Sequence, residues 1–199
     1  MYNTWLLFYD IIPILSILSN CSKRGNMLNL RITDSDILNE GEPQYVSRIS
    51  KYGSRGVLLN NKGQIALMYV SDSDIYKLPG GGIEEDETEE QAFIREIKEE
   101  TGYHCHILSY LGIVEEHKAK KDFLHISHCY YAETIGKKGS LKLTKEEKKR
   151  GYKPHWFDLN LAIEILEECF RKSIGYRTLF VLKRDLAILY YVKGLTKNE

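Results

Sequence analysis

Short apolar runs and short polar connectors alternate from about Arg48 to about Lys193, and the period of each run sets the element it predicts. Gly56-Val57-Leu58-Leu59 and Gln64 to Val70 read as strands joined by Asn60-Asn61-Lys62-Gly63, a hairpin signal. Ile75 to Leu78 runs into a glycine turn, Leu78-Pro79-Gly80-Gly81-Gly82. His106 to Val114 and Phe123 to Thr134 read as further strands, followed by a turn at Gly136-Lys137-Lys138-Gly139. Lys142 to Gly151 is a charged loop or short helix, and a strand lies around His155-Trp156-Phe157. Leu161 to Phe170 and Tyr176 to Tyr191 carry helical apolar patterns. Asp34 to Tyr45, with Gly41 and Pro43, reads as a loop leading into the domain. Strands interleaved with flanking helices predict an α/β sandwich, and no internal repeat interrupts the pattern.

The segment between the glycine turn and Tyr103 carries the chemistry. Thr88 and Gln91 form a capping box, so a helix starts at Thr88, and Gly102 supplies the left-handed position that ends it. Ala92, Phe93, Ile97 and Tyr103 form the packing face of this helix, and the other face is acidic. Positions three and four apart face one another, so Glu96, Glu99 and Glu100 converge, with Arg95 one turn before Glu99 as a counter-charge. Like-charged pairs of this kind cost about 0.2–0.5 kcal/mol each in water, and one arginine does not neutralise three carboxylates. A hard divalent cation, Mg²⁺ or Mn²⁺, does. Glycines at 80, 81 and 82 allow a ligand close to the backbone, and the Gly81 carbonyl is a further candidate ligand. The acidic run Glu84 to Glu90 reads as a solvated loop and helix start, with Glu87 as the exception.

Composition narrows the field. Lys plus Arg equals Asp plus Glu at 28 each, so no global field gathers polymeric nucleic acid. Cys21, Cys105, Cys129 and Cys169 are scattered without a Cys-x-x-Cys pair, which suits reduced thiols in a cytoplasmic protein. Trp5 to Leu18 is largely apolar but interrupted by Asp10 and Pro13, too short to span a bilayer and without the basic flank of a secretory signal, so membrane contact is not expected. It reads as a docking helix or as an extension upstream of a start at Met27. The expected organisation is an extension over 1–44, one domain over 45–193 and a tail over 194–199.

From Gly81, the order is five residues, Glu87, seven more, Arg95-Glu96-Ile97, one more, Glu99-Glu100, another, and Gly102-Tyr103. This resembles the Nudix box at every specified position, a coincidence expected by chance in about one window in 10⁸. The resemblance implies a Nudix α/β/α sandwich with a mixed sheet, and a hydrolase that cleaves the pyrophosphate linkage of a nucleoside diphosphate joined to another group. It assigns metal binding to Glu96, Glu99, Glu100 and the Gly81 carbonyl, orientation of the carboxylates to Arg95, and bracing of the loop to Glu87. Glu146 and Glu147 are the candidates for a general base outside the box, and Gly80, Gly81, Gly82 and Tyr76 for contact with substrate. Some relatives place a glutamate before the late-strand tryptophan, where this chain has His155 before Trp156. The segment Lys118-Ala119-Lys120-Lys121 lacks the residues that mark the ADP-ribose and dinucleoside polyphosphate subclasses. The expected substrate is therefore a (deoxy)nucleoside triphosphate or modified nucleotide, with ADP-ribose or a nucleotide sugar second and a non-catalytic nucleotide sensor third. The family resemblance also implies a homodimer.

Overall fold

The computed structural model describes residues 27–196. Its strands are β1 (Leu28–Thr33), β2 (Ile49–Leu59), β3 (Ile65–Val70), β4 (Ile75–Lys77), β5 (Gly80–Gly82), β6 (His104–Lys118), β7 (Phe123–Ile135) and β8 (Tyr152–Phe157). The helices are α1 (Asp34–Leu38), α2 (Glu89–Thr101), α3 (Lys145–Lys149), α4 (Leu159–Lys172) and α5 (Tyr176–Thr196). All eight strands join one mixed sheet in the order β1-β6-β7-β2-β3-β4, with β5 beside β2 and β8 beside β3. The pairs β1/β6 and β2/β7 are parallel, and the others are antiparallel.

Successive residues of a strand point to opposite faces, and this divides the apolar residues between two cores. Val57, Ile65 and Leu67 pack with Leu166, Phe180, Leu186 and Leu189 under α4 and α5. Leu58 and Ala66 pack with Phe93 and Ile97 of α2 on the other side. The sheet is thereby covered on both faces, the α/β/α sandwich expected from the sequence. The hairpin between β2 and β3 is closed by Asn60, whose side chain accepts from the amides of Lys62 and Gln64 at 2.8 and 3.0 Å.

Three boundaries differ from the sequence reading. Residues 28–33, assigned to the extension, form the edge strand that runs parallel to β6 from Gly112 to His117. The loop expected from Asp34 contains a helical turn, α1, at whose start Asp36 Oδ2 accepts from Thr33 N and Thr33 Oγ1, both at 2.8 Å. The last helix continues to Thr196, into the stretch expected to be a tail. The apolar segment 5–18, Cys21 and residues 197–199 lie outside the described residues, among which no helix is long and apolar enough to cross a membrane.

A charged network lies between the sheet and α5. Arg184, 2% exposed, donates to Glu116 Oε2 at 2.9 Å and to Asp185 Oδ1 at 2.8 Å. Lys118 donates to Glu116 Oε1 at 2.8 Å, and His125 Nδ1 lies 3.1 Å from Glu116 Oε2. Desolvation alone would raise the pKa of Glu116, yet Arg184, His125 and Lys118 together hold it well below the carboxylate range. Asp185 also accepts the amide of Leu78 at 2.8 Å, which ties α5 to the residue that opens the glycine turn. The network therefore anchors the start of that turn to the last helix.

Burial lowers the His125 imidazole from its ordinary value of 6.5 to about 4. An unfolded chain binds that proton earlier on acidification than the folded chain does, so this contribution to stability is lost as pH falls through the window between the two values. Lowering the pH from about 7 to about 5 should reduce the melting temperature, and His125→Gln should flatten the slope. Differential scanning calorimetry at several pH values checks both expectations.

Candidate active site

Helix α2 begins as its sequence requires. Thr88 Oγ1 accepts from Gln91 N at 3.2 Å, and Gln91 Oε1 accepts from Thr88 N at 2.8 Å. Gly102 ends the helix at φ 80°, a conformation that costs glycine little. The burial pattern of the helix departs from a simple division into apolar and acidic faces. Glu96 and Glu100 share the buried side with Ala92, Phe93 and Ile97 and are only 8% and 1% exposed.

Each carboxylate has partners. Glu100 accepts from Gly80 N at 2.7 Å and from Lys77 Nζ at 2.9 Å. Glu96 accepts from Arg95 Nη1 at 2.9 Å. Burial raises the pKa of both; repulsion from Glu100 adds to the rise at Glu96, while Lys77 opposes it at Glu100. Gly81 lies against Glu96, and a Cβ at that position would sit 2.2 Å from Glu96 Oε1. Only glycine lets the loop come this close to the helix.

Arg95 ties the loop to the helix. Its Nε and Nη2 donate to the two oxygens of Glu87 at 2.9 and 2.6 Å, Nη2 donates to Gly82 O at 2.9 Å, and Nη1 reaches Glu99 Oε2 at 3.2 Å. Glu87 also accepts from Glu84 N at 2.9 Å. The bidentate hydrogen bond from Arg95 lowers the pKa of Glu87, and Glu87 raises that of Arg95 in turn.

A carboxylate from outside the helix joins Glu96 and Glu100. Glu96 and Glu100 meet Glu147, and their carboxylate oxygens lie within 4.8 Å of one another. Glu99 pairs with Arg95 one turn earlier, as the sequence spacing predicts, and shares Arg95 Nη1 with Glu96. Glu147 comes from α3, where Thr144 caps the helix and donates its amide to Glu147 Oε2 at 2.8 Å. That segment is fastened to the end of α2 by Gly139 N to Gly102 O at 2.7 Å and Lys142 N to Glu99 O at 2.8 Å. Glu146 is exposed. Tyr76 belongs to an aromatic group with Tyr69, His155 and Phe157, its hydroxyl 3.2 Å from His155 Nδ1. The sequence reading did not single out Lys77, although its place immediately before the glycine turn is a usable signal.

Three carboxylates with only oxygen donors suit a hard divalent cation that keeps several waters. Two of the three are buried, and among the described residues Lys77 pairs with Glu100 and Arg95, which also serves Glu87 and Glu99, pairs with Glu96. Glu96→Gln should therefore raise the melting temperature in EDTA by ~2–4 °C, equivalent to about 1 kcal/mol in a chain of this size. The rise should disappear in excess Mg²⁺, as thermal denaturation followed by circular dichroism will show.

Comparison with known proteins agrees with this architecture. The NUDIX domain profile matches residues 51–176. A Bacillus subtilis (strain 168) protein provisionally named an 8-oxo-dGTP diphosphatase is 31% identical over 84 residues, 42% of this chain and 54% of its own length. The 8-oxo-dGDP phosphatase NUDT18 of Danio rerio is 30% identical over 105 residues, 51% of this chain and 30% of its own. The chain thus spans about half the length of the first of these relatives and less than a third of the second. A NUDIX hydrolase from Nitrosomonas europaea superposes with a TM-score of 0.53 at 14% identity, covering 74% of this chain and 89% of that one, and shares its fold. With a profile match over more than half of its residues, the chain belongs to the NUDIX domain family.

Proposed function

We propose that the chain hydrolyses the pyrophosphate linkage of a nucleoside diphosphate joined to a further group, with Mg²⁺ or Mn²⁺ as cofactor. A (deoxy)nucleoside triphosphate is the first candidate substrate, and the activities for which the two relatives are named favour one with an oxidised guanine. The observation that carries the reading is the convergence of Glu96, Glu100 and Glu147 within 4.8 Å beside a glycine-rich loop.

Glu96 and Glu100 would hold the cation, with the Gly81 carbonyl and Glu99 at its border. The cation supplies positive charge against the phosphate oxygens, which otherwise repel a nucleophile. Arg95 keeps the carboxylates and the loop in one arrangement before substrate arrives, so little reorganisation remains for the reaction itself. Lys77, donating to Glu100 and to Gly80 O at 3.2 Å, sets the other side of the loop. Glu147, half-buried beside the two helix carboxylates, would orient the attacking water and accept its proton.

Glu100→Gln should abolish release of phosphate or pyrophosphate from a panel of nucleotides in Mg²⁺ while leaving the circular dichroism spectrum unchanged. Glu147→Gln should lower kcat by about 10²–10⁴-fold, the range for loss of a general base. Glu146→Gln should stay within about twofold of the parent, as expected for a solvated carboxylate. Full turnover in a folded Glu100→Gln protein would rule the reading out.

A further inference from the structure

On the carboxylate side of the glycine loop, β2 presents a second group of exposed side chains. Ser54 pairs with Gly81 across β2 and β5, and its hydroxyl donates to Glu89 O at the start of α2. Tyr52 lies two residues before Ser54 and Ile83 two residues after Gly81, and Ile83 N donates to Tyr52 O at 3.2 Å. Gly81 turns its Cβ position toward Glu96, so by strand alternation Tyr52 and Ile83 share the side of the carboxylates. Two extended residues separate Ile83 from Gly81, about 7 Å.

A recess of about 590 Å³ opens at this place, within the size range of small-molecule sites. Tyr52, His128 and Ile83 form its walls, and Tyr52 remains 46% exposed. The Tyr52 and His128 rings lie 6.4 Å apart at 33°, and the Tyr110 hydroxyl braces His128 at 3.1 Å from Nδ1. Tyr110 packs on Tyr130 at 5.2 Å, and Tyr130 stacks on Phe93 of α2 at 5.0 Å. The exposed rings are therefore backed by an aromatic row that ends in the core, which gives a planar ligand a fixed surface.

The charge of the recess selects among ligands. Glu84, Glu85 and Glu89 line it against one lysine, Lys51. The carboxylates of Glu85 and Glu89 take no hydrogen bond or ion pair among the described residues. Burial first, and the Glu89 charge second, raise the pKa of the Tyr130 hydroxyl, in keeping with a place for that carboxylate beside the aromatic row. Such a recess repels phosphate and favours a planar group that stacks and donates hydrogen bonds, because an ionised carboxylate only accepts. Guanine does both. Its ring N–H and exocyclic amine lie side by side and match the two oxygens of a carboxylate, whereas adenine sets its amine beside an acceptor nitrogen.

We propose that the recess receives the base of the substrate, a guanine or oxidised guanine, with its face on Tyr52 and His128 and its N–H edge donating to Glu85 or Glu89. The assignment of the ligand as part of a nucleotide rests on the hydrolase reading. A base held here leaves the sugar to span the gap to Gly81 and brings the phosphates to the carboxylate cluster.

Guanosine monophosphate has no pyrophosphate linkage, so calorimetric titration of the full chain with it in Mg²⁺ reads binding without turnover. Saturable binding is expected, about tenfold tighter than that of adenosine monophosphate, as for one bidentate contact that tells two bases apart. Tyr52→Leu should weaken it about tenfold and Tyr52→Phe less than about twofold, as loss and retention of a stacked ring require. Glu85→Ala combined with Glu89→Ala should bring the two monophosphates within about twofold of each other. Circular dichroism establishes that each variant is folded; if Tyr52→Leu is not, the doubly substituted chain decides. Absence of saturation, equal affinity of the parent for the two monophosphates, or parental behaviour in the deciding variant overturns the base site and leaves hydrolysis at the carboxylates standing. Affinities that change as expected, in a protein that turns over no nucleotide in Mg²⁺, support the base site and remove the hydrolase reading.

Discussion

Burial of two like charges one helical turn apart, Glu96 and Glu100, is the constraint that organises this molecule. Carboxylates so placed repel each other and lose hydration, and both effects disfavour the ionised state. The neighbouring structure answers that strain. Lys77 and the amide of Gly80 serve Glu100, Arg95 serves Glu96, and the glycine loop supplies a surface with no side chains to obstruct them. Local stability is exchanged for a preorganised cluster of negative charge that becomes favourable once a cation enters.

Arg95 and Asp185 show how the loop is held from two directions. Arg95 grips it from the helix through Glu87 and Gly82 O, and Asp185 grips it from the last helix through the amide of Leu78. The two grips are far apart in the sequence and close around one turn. The buried network of Glu116, Arg184 and Asp185 is therefore part of the apparatus that positions the loop as well as part of the core.

Sequence patterns revealed what local chemistry decides. The caps of α2, the hairpin at Asn60 and the glycine turn follow from residues three or four apart, and each is where the pattern put it. Placements set by distant partners were harder to read. Leu28 to Thr33 alternates apolar and polar residues, but its partner strand begins at Gly112, far along the chain, and nothing local requires the pairing. The pairing of Arg95 with Glu99 one turn on follows from their spacing, but the arrival of Glu147 depends on how residues 139–142 dock on α2. Charges inside the core escaped notice for the same reason: Arg55, Glu116 and Arg184 come from strands and a helix that meet only in the folded protein.

Glu147 reaches the cluster on a helix of five residues, carried by an exposed connector that fastens to the end of α2 through backbone hydrogen bonds. Backbone fastening is indifferent to side-chain identity. Substitutions in this connector can therefore accumulate while Glu96 and Glu100 on α2 stay untouched. The outer carboxylate and the two buried ones are thus carried by separate elements joined through the main chain.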